Sequence, residues 1–153
     1  MPDFLGMMKQ AAQLQSKMQA MQEELGNVEV EGTSGGGLVS VRMTAKMEVK
    51  GVKIDPSLMK ADEREILEDL LVTAHNDARR KAELVHTLAQ YLEHGGNYDA
   101  TAAELSVHKS TLKYRLQRIR ELTGVELNDP DVHFNLQLAT RAWGTLQALR
   151  DER

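Results

Sequence analysis

A basic stretch, KSTLKYRLQRIR at positions 109–120, carries the side chains most suited to binding chemistry in this sequence. Lysine and arginine donate hydrogen bonds to phosphate oxygens and, in the major groove of DNA, to base edges. Five bases and no acid lie between Leu105 and Arg120. The stretch therefore predicts a helix that contacts DNA, with an ordinary solvated basic helix as the alternative. The five bases are Lys109, Lys113, Arg115, Arg118 and Arg120.

The same stretch fits the second helix of a helix-turn-helix motif. Leu112, Leu116 and Ile119 recur at steps of four and three residues, so they should face a core. The preceding AAELSVH supplies small alanines where two helices cross, and then a turn. The opposite face then presents hydrogen-bond donors to DNA. The residues expected to contact bases or phosphates are His108, Lys109, Ser110, Lys113, Tyr114, Arg115, Gln117, Arg118 and Arg120.

GGNYDATAAELSVHKSTLKYRLQRIRELTGVELNDPDVHFNLQLA resembles the C-terminal helix-turn-helix domain of the PucR/CdaR transcription regulators. The similarity spans roughly residues 84–146, and the H-x-x-T-L-x-Y-R-L-x-R-I segment is its most specific part. The effector-sensing part usual in that family does not precede this domain, so we expect no small-molecule ligand. The resemblance implies an all-α domain that reads DNA through Lys109, Ser110, Thr111, Lys113, Tyr114 and Arg115.

One long helix must position this motif. The stretch from Asp62 to Glu93 contains no proline or glycine, and Gly95-Gly96 supplies a stop. Asp62 followed by Glu65 is typical of a capping box at the helix start. The apolar stripe is thinnest from Ala78 to Ala82, so the helix should be shared by two separate cores. The stripe comprises Leu67, Leu70, Leu71, Ala74, Ala78, Ala82, Val85, Ala89 and Leu92.

An amphipathic helix opens the chain. Its apolar residues fall at alternating steps of four and three over three heptads, beginning at Met7 and ending at Val28. This seam predicts contact with a helix of a second subunit; packing on its own domain is the alternative. The residues expected to dimerise are Met7, Leu14, Met18, Met21 and Leu25.

Three antiparallel strands should follow this helix. Apolar and polar residues alternate in residues 28–31, 39–43 and 47–54, and the phase slips at Gly51 as a β-bulge would require. Gly35-Gly36-Gly37 is followed by neither Lys-Ser/Thr nor a helix start. This glycine run is therefore a hairpin connection rather than a phosphate-binding loop.

Residues 4–83 resemble the YbaB/EbfC family of bacterial nucleoid-associated proteins. The similarity rests on the Met/Gln-rich helix, the SGGGLV turn, the IDPSL link and the ND-A-RR segment. It implies a small α/β subunit, an intertwined homodimer and DNA binding with loose sequence preference. Composition does not itself indicate DNA binding here, because residues 1–83 hold 11 bases and 14 acids. Arg79-Arg80-Lys81 forms either a phosphate contact or a solvated helix face.

Composition and motifs argue against enzymatic chemistry. The chain has a net charge of −4 and no cysteine, which excludes thiolate metal sites and disulfides. Its five histidines are scattered, without HExxH or clustered carboxylates. No basic leader and no apolar run of membrane length occurs. We therefore expect a non-enzymatic cytoplasmic protein of the nucleoid, with no cofactor, metal or membrane partner.

The sequence predicts an α+β fold. An α-β-β-β-α dimerisation module, residues 1–83, should share its long helix with an all-α helix-turn-helix domain, residues 84–153. The function predicted is that of a homodimeric DNA-binding protein, nucleoid-associated or of the transcription-regulator type. Two alternatives stay open: a rigid dimeric scaffold without specific DNA binding, and sequence-tolerant binding by the first half alone. The pairing of families fits either a natural gene or a recombined, engineered chimera.

Overall fold

The computed structural model describes residues 4–151, apart from the side chains of 17, 18, 20–22, 24, 25, 140, 141 and 143–151. One short 3-10 turn connects β1 to β2, and two more connect β3 to the long helix. The fold is α+β, with a helix and a three-stranded sheet followed by a long helix and a helical domain. The elements are α1 Phe4–Asn27, β1 Glu29–Ser34, β2 Val39–Thr44, β3 Val49–Ile54, α2 Arg64–Glu93, α3 Tyr98–Glu104, α4 Lys109–Thr123 and α5 Pro130–Asp151.

The sheet is antiparallel in the order β1-β2-β3. Its register pairs Val30 with Met43 and Val41 with Val52. Between Arg42 and Met43 the register shifts, because their partners on β3 are Gly51 and Val49. The extra residue lies beside Gly51, which confirms the bulge predicted from the change of apolar phase.

The first core lies between α2 and one face of the sheet. Its fully buried side chains come from β2, from α2 and from Leu58. On the helix side the residues are small, and a Cβ on Gly32 of β1 would collide with the Ala74 carbonyl and the Ala78 amide. The small residues Ala74 and Ala78 thus let the backbone of α2 approach that of β1 at Gly32. The core comprises Val39, Val41, Met43, Leu58, Ala74, Ala78 and Ala82.

Side chains of α2 also cover the outer edge of β1. Asp77 Oδ2 accepts a hydrogen bond from the Thr33 amide at 3.1 Å, and Lys81 Nζ donates to the Glu31 carbonyl at 2.8 Å. Burial pushes the pKa of Asp77 up, but the Thr33 amide, Lys81 and Arg80 outweigh it, so the pKa is lowered. Occupied backbone groups cannot pair with a further strand, so this edge is protected.

A second core holds the helical domain together. Asn97 caps α3 by accepting from the amides of Asp99 and Ala100, and Gly124 ends α4 in the left-handed conformation. Side chains from α2, α3, α4 and the loop before α5 meet in the interior. The buried residues are Tyr91, Ala102, Leu112, Leu116, Ile119 and Leu127.

The two cores are joined by more than the shared helix. Ala45, in the β2–β3 turn, is fully buried against Val28 and against Val85 and Ala89 of α2. The first module therefore packs on the part of α2 that also carries the helical domain. Val28, placed by sequence on the seam of α1, lies in this cluster instead.

The start of α2 differs from the prediction. Asp62 lies in a 3-10 turn, Ala61–Glu63, and the helix begins at Arg64. Glu63 at the N-cap makes no side-chain capping hydrogen bond. The capping box is absent because the 3-10 turn makes Glu63 the N-cap, so Asp62 and Glu65 do not occupy the N-cap and N3 positions that this motif requires. Over residues 4–151, no helix is long and apolar enough to cross a membrane.

Candidate nucleic-acid interface

The apolar side of α4 fixes which face of this helix points outward. Leu112, Leu116 and Ile119 are almost completely buried in the second core. They lie four and three residues apart, so they anchor a single stripe along the helix. The remaining surface of α4 is held toward solvent by this packing and by the turn that joins it to α3.

Most of the residues predicted to contact DNA lie on that outward surface. Tyr114 is the largest of them, with 71% of its surface exposed. The group offers ammonium, hydroxyl, amide and guanidinium donors, the groups that bind phosphates and base edges. Whether they contact DNA stays a prediction. The exposed members are His108, Lys109, Ser110, Thr111, Lys113, Tyr114, Gln117 and Arg118.

His108 caps the N-terminus of α4. Its Nδ1 accepts from the Ser110 amide at 3.2 Å and lies 2.7 Å from Ser110 Oγ. A capping acceptor at this position satisfies a backbone N–H that the helix itself leaves unpaired. His108 and Ser110 are thus positioned by each other.

Arg115 turns inward, unlike its neighbours. Only 22% of its side chain is exposed, and its guanidinium lies 3.4 Å from a carboxylate oxygen of Glu83 on α2. It also donates to Thr87 Oγ1 at 3.4 Å. Sequence alone predicts a DNA contact for Arg115, but this guanidinium is engaged with α2 and connects the motif to the long helix. The helix period could not show this, because it depends on an acid 32 positions away.

Several other bases of α4 are paired with acids. Lys109 forms an ion pair with Asp99 of α3. Arg118 lies 3.2 Å from Glu121, and Arg120, only partly exposed, lies 3.8 Å from Glu126. Among the described residues, Lys113 is the one base of α4 without an ion pair. The count of charges between Leu105 and Arg120 did not include Asp99. The fold brings Asp99 to Lys109 from the preceding helix, α3.

His86 on α2 lies close to this junction. Burial lowers its pKa, and the nearby charge of Arg115 lowers it further, while Glu104 acts in the opposite direction. The neutral imidazole is therefore favoured beside the Arg115 guanidinium. His86 belongs to the contact between the motif and the long helix, not to the outward surface of α4.

The Arg79-Arg80-Lys81 cluster is engaged within the protein. Arg79 pairs with Glu83 at 3.2 Å, Arg80 lies 4.0 Å from Asp77, and Lys81 pairs with Asp77 at 3.1 Å. These exposed ion pairs favour the interpretation of the cluster as a solvated helix face.

On α1, the seam expected to dimerise is uncovered where the structure describes it. Met7 and Leu14 are 61% and 62% exposed. Phe4, Leu5 and Met8 in the same part of α1 are exposed as well. The other predicted seam residues, Met18, Met21 and Leu25, lie outside the described side chains.

Comparison with known proteins identifies the first half of the chain. Residues 1–87 match the model of the YbaB/EbfC DNA-binding family. The chain belongs to the YbaB/EbfC DNA-binding family. A nucleoid-associated protein of Bradyrhizobium sp. (strain BTAi1) is 88% identical over 83 residues, 54% of this chain and 78% of that protein. One from Nitrobacter hamburgensis is 82% identical over 84 residues, 55% and 79% of the two chains.

The remainder of this YbaB/EbfC family member matches a second model. Residues 84–142 correspond to the PucR C-terminal helix-turn-helix domain. The two matched ranges overlap at residues 84–87, within α2. An uncharacterized protein from Helicobacter pylori, known from a crystal structure, is 25% identical with a TM-score of 0.48, covering 54% of this chain and 87% of that one. Both resemblances recognised in the sequence are confirmed.

Proposed function

We propose that this protein is a homodimer that binds duplex DNA, with α4 supplying base and phosphate contacts. The observation that carries the proposal is the outward surface of α4. It presents Lys109, Lys113 and Tyr114 beside a helix N-terminus, while the opposite side is anchored in a core. A helix held in this way can enter the major groove, where donors reach both base edges and flanking phosphates.

The family matches support the same function. Relatives of the first half are named nucleoid-associated proteins, and the second half matches a helix-turn-helix model. We infer that this chain also acts on the nucleoid, as an architectural protein or a transcription regulator. In this proposal residues 1–83 form the dimerisation module and residues 84–153 the DNA-binding domain.

The uncovered face of α1 supports the homodimer. Met7 and Leu14 lie one above the other on the helix, and both are exposed in the single chain. Full burial of such a side chain is worth roughly 1.5–3 kcal/mol, and covering the exposed part of Met7 and Leu14 would contribute a fraction of this toward the cost of association. In a two-fold symmetric dimer, the α1 seam of one copy would pack against the identical seam of the second copy. The dimer would then carry two helix-turn-helix motifs.

Duplex binding at two salt concentrations tests the role of α4. We expect at least tenfold preference for one genomic site over random duplex, and we expect K109A/K113A to abolish it. The matched control is K46A/K53A, which removes two exposed lysines from the first module. Affinity should fall steeply with salt, because phosphate contacts release counterions. If K109A/K113A binds DNA like the control, α4 is not the DNA-binding element.

A structural role is the second candidate. The Ala45 cluster and the Glu83–Arg115 ion pair both fix the helical domain against the first module. A rigid dimeric scaffold would make use of that arrangement without base contacts. It would give a stable dimer in solution and no salt-dependent binding to any duplex.

A further inference from the structure

The ion pair between Asp99 and Lys109 lies at the start of the proposed DNA-binding helix. Asp99 belongs to the first turn of α3, and Lys109 is the first residue of α4. Both side chains are well exposed, at 71% and 58%. The pair therefore connects the two helices of the motif on a surface that DNA would approach.

Asp99 is not needed to cap its own helix. The Oδ1 atom of Asn97 accepts the amide hydrogens of Asp99 and Ala100 and satisfies the N-terminus of α3. The Asp99 carboxylate is left to interact with Lys109. Its position thus points to an electrostatic effect on the lysine.

We propose that Asp99 restrains sequence-independent DNA binding by competing with phosphate for Lys109. This inference rests on the proposed function of α4. A phosphate that approaches Lys109 must displace the carboxylate and remain near its negative charge. A phosphate bound to Lys109 would lie closer to the Asp99 carboxylate than the Debye length, which is about 8 Å at physiological ionic strength. Salt therefore does not remove the repulsion between the phosphate and this carboxylate. Asp99 thus weakens binding that relies on phosphate contacts alone. Stable binding of DNA then depends more on base contacts that other residues of α4 make.

The ion pairs of α4 also predict which of its two lysines contributes more to sequence-independent binding. Lys113 has no ion pair among the described residues, whereas Lys109 already has an internal counter-ion. In the unaltered protein, Lys113 should therefore contribute more than Lys109 to the release of counterions from random duplex. Neutralising Asp99 should make the two lysines equivalent.

Binding of random-sequence duplex by D99N over a salt series tests the proposal. We expect D99N to bind about two- to fivefold more tightly, the range for loss of an exposed ion pair. The plot of log K against log salt should steepen by roughly 0.9, the value for one added phosphate contact on B-DNA. Introducing K109A into D99N should reverse both changes, whereas K109A alone should have little effect on the slope.

E104Q is the matched control. Glu104 is also exposed and on α3, but its charge acts on His86 of α2. D99S removes the same charge as D99N without the amide and should behave as D99N does; thermal unfolding checks that each variant is folded. If folded D99N and D99S match E104Q in affinity and slope while the unaltered protein binds DNA, the role of Asp99 is refuted. If neither the unaltered protein nor any of the variants binds duplex, the proposed function itself is refuted.

Discussion

At the scale of single residues, Arg115 shows how the fold changes the role of a basic side chain. Its neighbours Tyr114 and Gln117 are exposed, yet its own guanidinium lies between Glu83 and Thr87 of α2. Thr87 is itself held by a hydrogen bond to the Glu83 carbonyl at 2.7 Å. Arg115 therefore stabilises the contact between the motif and the long helix.

Replacing Arg115 should reduce stability. R115A leaves the partly buried Glu83 carboxylate without this partner, and we expect a loss of roughly 1–2 kcal/mol in the free energy of unfolding. For a chain of this size the unfolding midpoint should fall by about 2–6 °C. Differential scanning calorimetry measures the change directly.

Arg118 provides the comparison for Arg115. It lies on the same helix, and its ion pair with Glu121 is exposed and local. Removing such a pair should change stability by no more than about 0.5 kcal/mol. Equal unfolding midpoints for R115A and R118A would show that Arg115 does not stabilise the junction.

At the scale of elements, the close contact between α2 and β1 organises the first core. Gly32 has no Cβ to separate the two backbones, and Ala74, Ala78 and Ala82 are fully buried opposite the sheet. Asp77 and Lys81 on the same helix then bind the outer edge of β1. Helix and strand thus form a single packed unit.

Adding one methyl group at this contact should therefore be severe. A Cβ at Gly32 would meet backbone atoms of Ala74 and Ala78, which cannot move without displacing α2. We expect G32A to lose roughly 3 kcal/mol or more, the upper range for overpacking. Chemical denaturation followed by circular dichroism measures the loss.

G26A is the matched control for G32A. Among the described residues, the nearest atoms to a Cβ at Gly26 belong to the flexible side chain of Lys46, the first of them 3.6 Å away. Near the end of α1, alanine in place of glycine should be neutral or stabilising by up to about 1 kcal/mol. Similar destabilisation by both variants would contradict the close-contact interpretation.

These elements also show how far sequence could predict the structure. Apolar periodicity predicted the helices, the three strands and the bulge beside Gly51, because each depends on local spacing. It did not show that the alanines of α2 mark a close approach, since periodicity records which face is apolar and not how near the next backbone lies. Periodicity also could not show that Lys109 pairs with Asp99 and Arg115 with Glu83, because spacing along one helix does not tell which residues of other helices lie near it.

At the scale of the whole molecule, α2 belongs to both matched regions of the chain. Contacts between the two regions lie around the residues of α2 where the matches overlap. The matched ranges overlap at residues 84–87. Around that overlap, Ala45 packs on Val85 and Ala89, and Arg115 pairs with Glu83. The helical domain is therefore held in a defined orientation on the first module. If that module dimerises, the spacing of the two motifs is set by the protein.

A change confined to the α1 seam should separate dimerisation from DNA contact. M7K/L14K places two charges on the exposed apolar face and should raise the dimer dissociation constant by roughly a hundredfold or more. Sedimentation velocity measures this shift. A12K/S16K adds the same charge at two exposed positions on the opposite side of α1 and should remain dimeric. Dimers of M7K/L14K as stable as those of the control would refute the seam.

The same pair of variants connects assembly to function. Two motifs on one body bind a long duplex with avidity that can exceed single-site affinity by about 10²–10⁴. The monomeric M7K/L14K should therefore bind long duplex at least about tenfold more weakly than A12K/S16K, although both carry the same added charge. On a duplex long enough for only one motif the two should bind alike, because α4 is intact in each. Equal affinities on both duplexes would mean that the two motifs act independently, and the defined orientation of the helical domain would then serve assembly and not DNA binding.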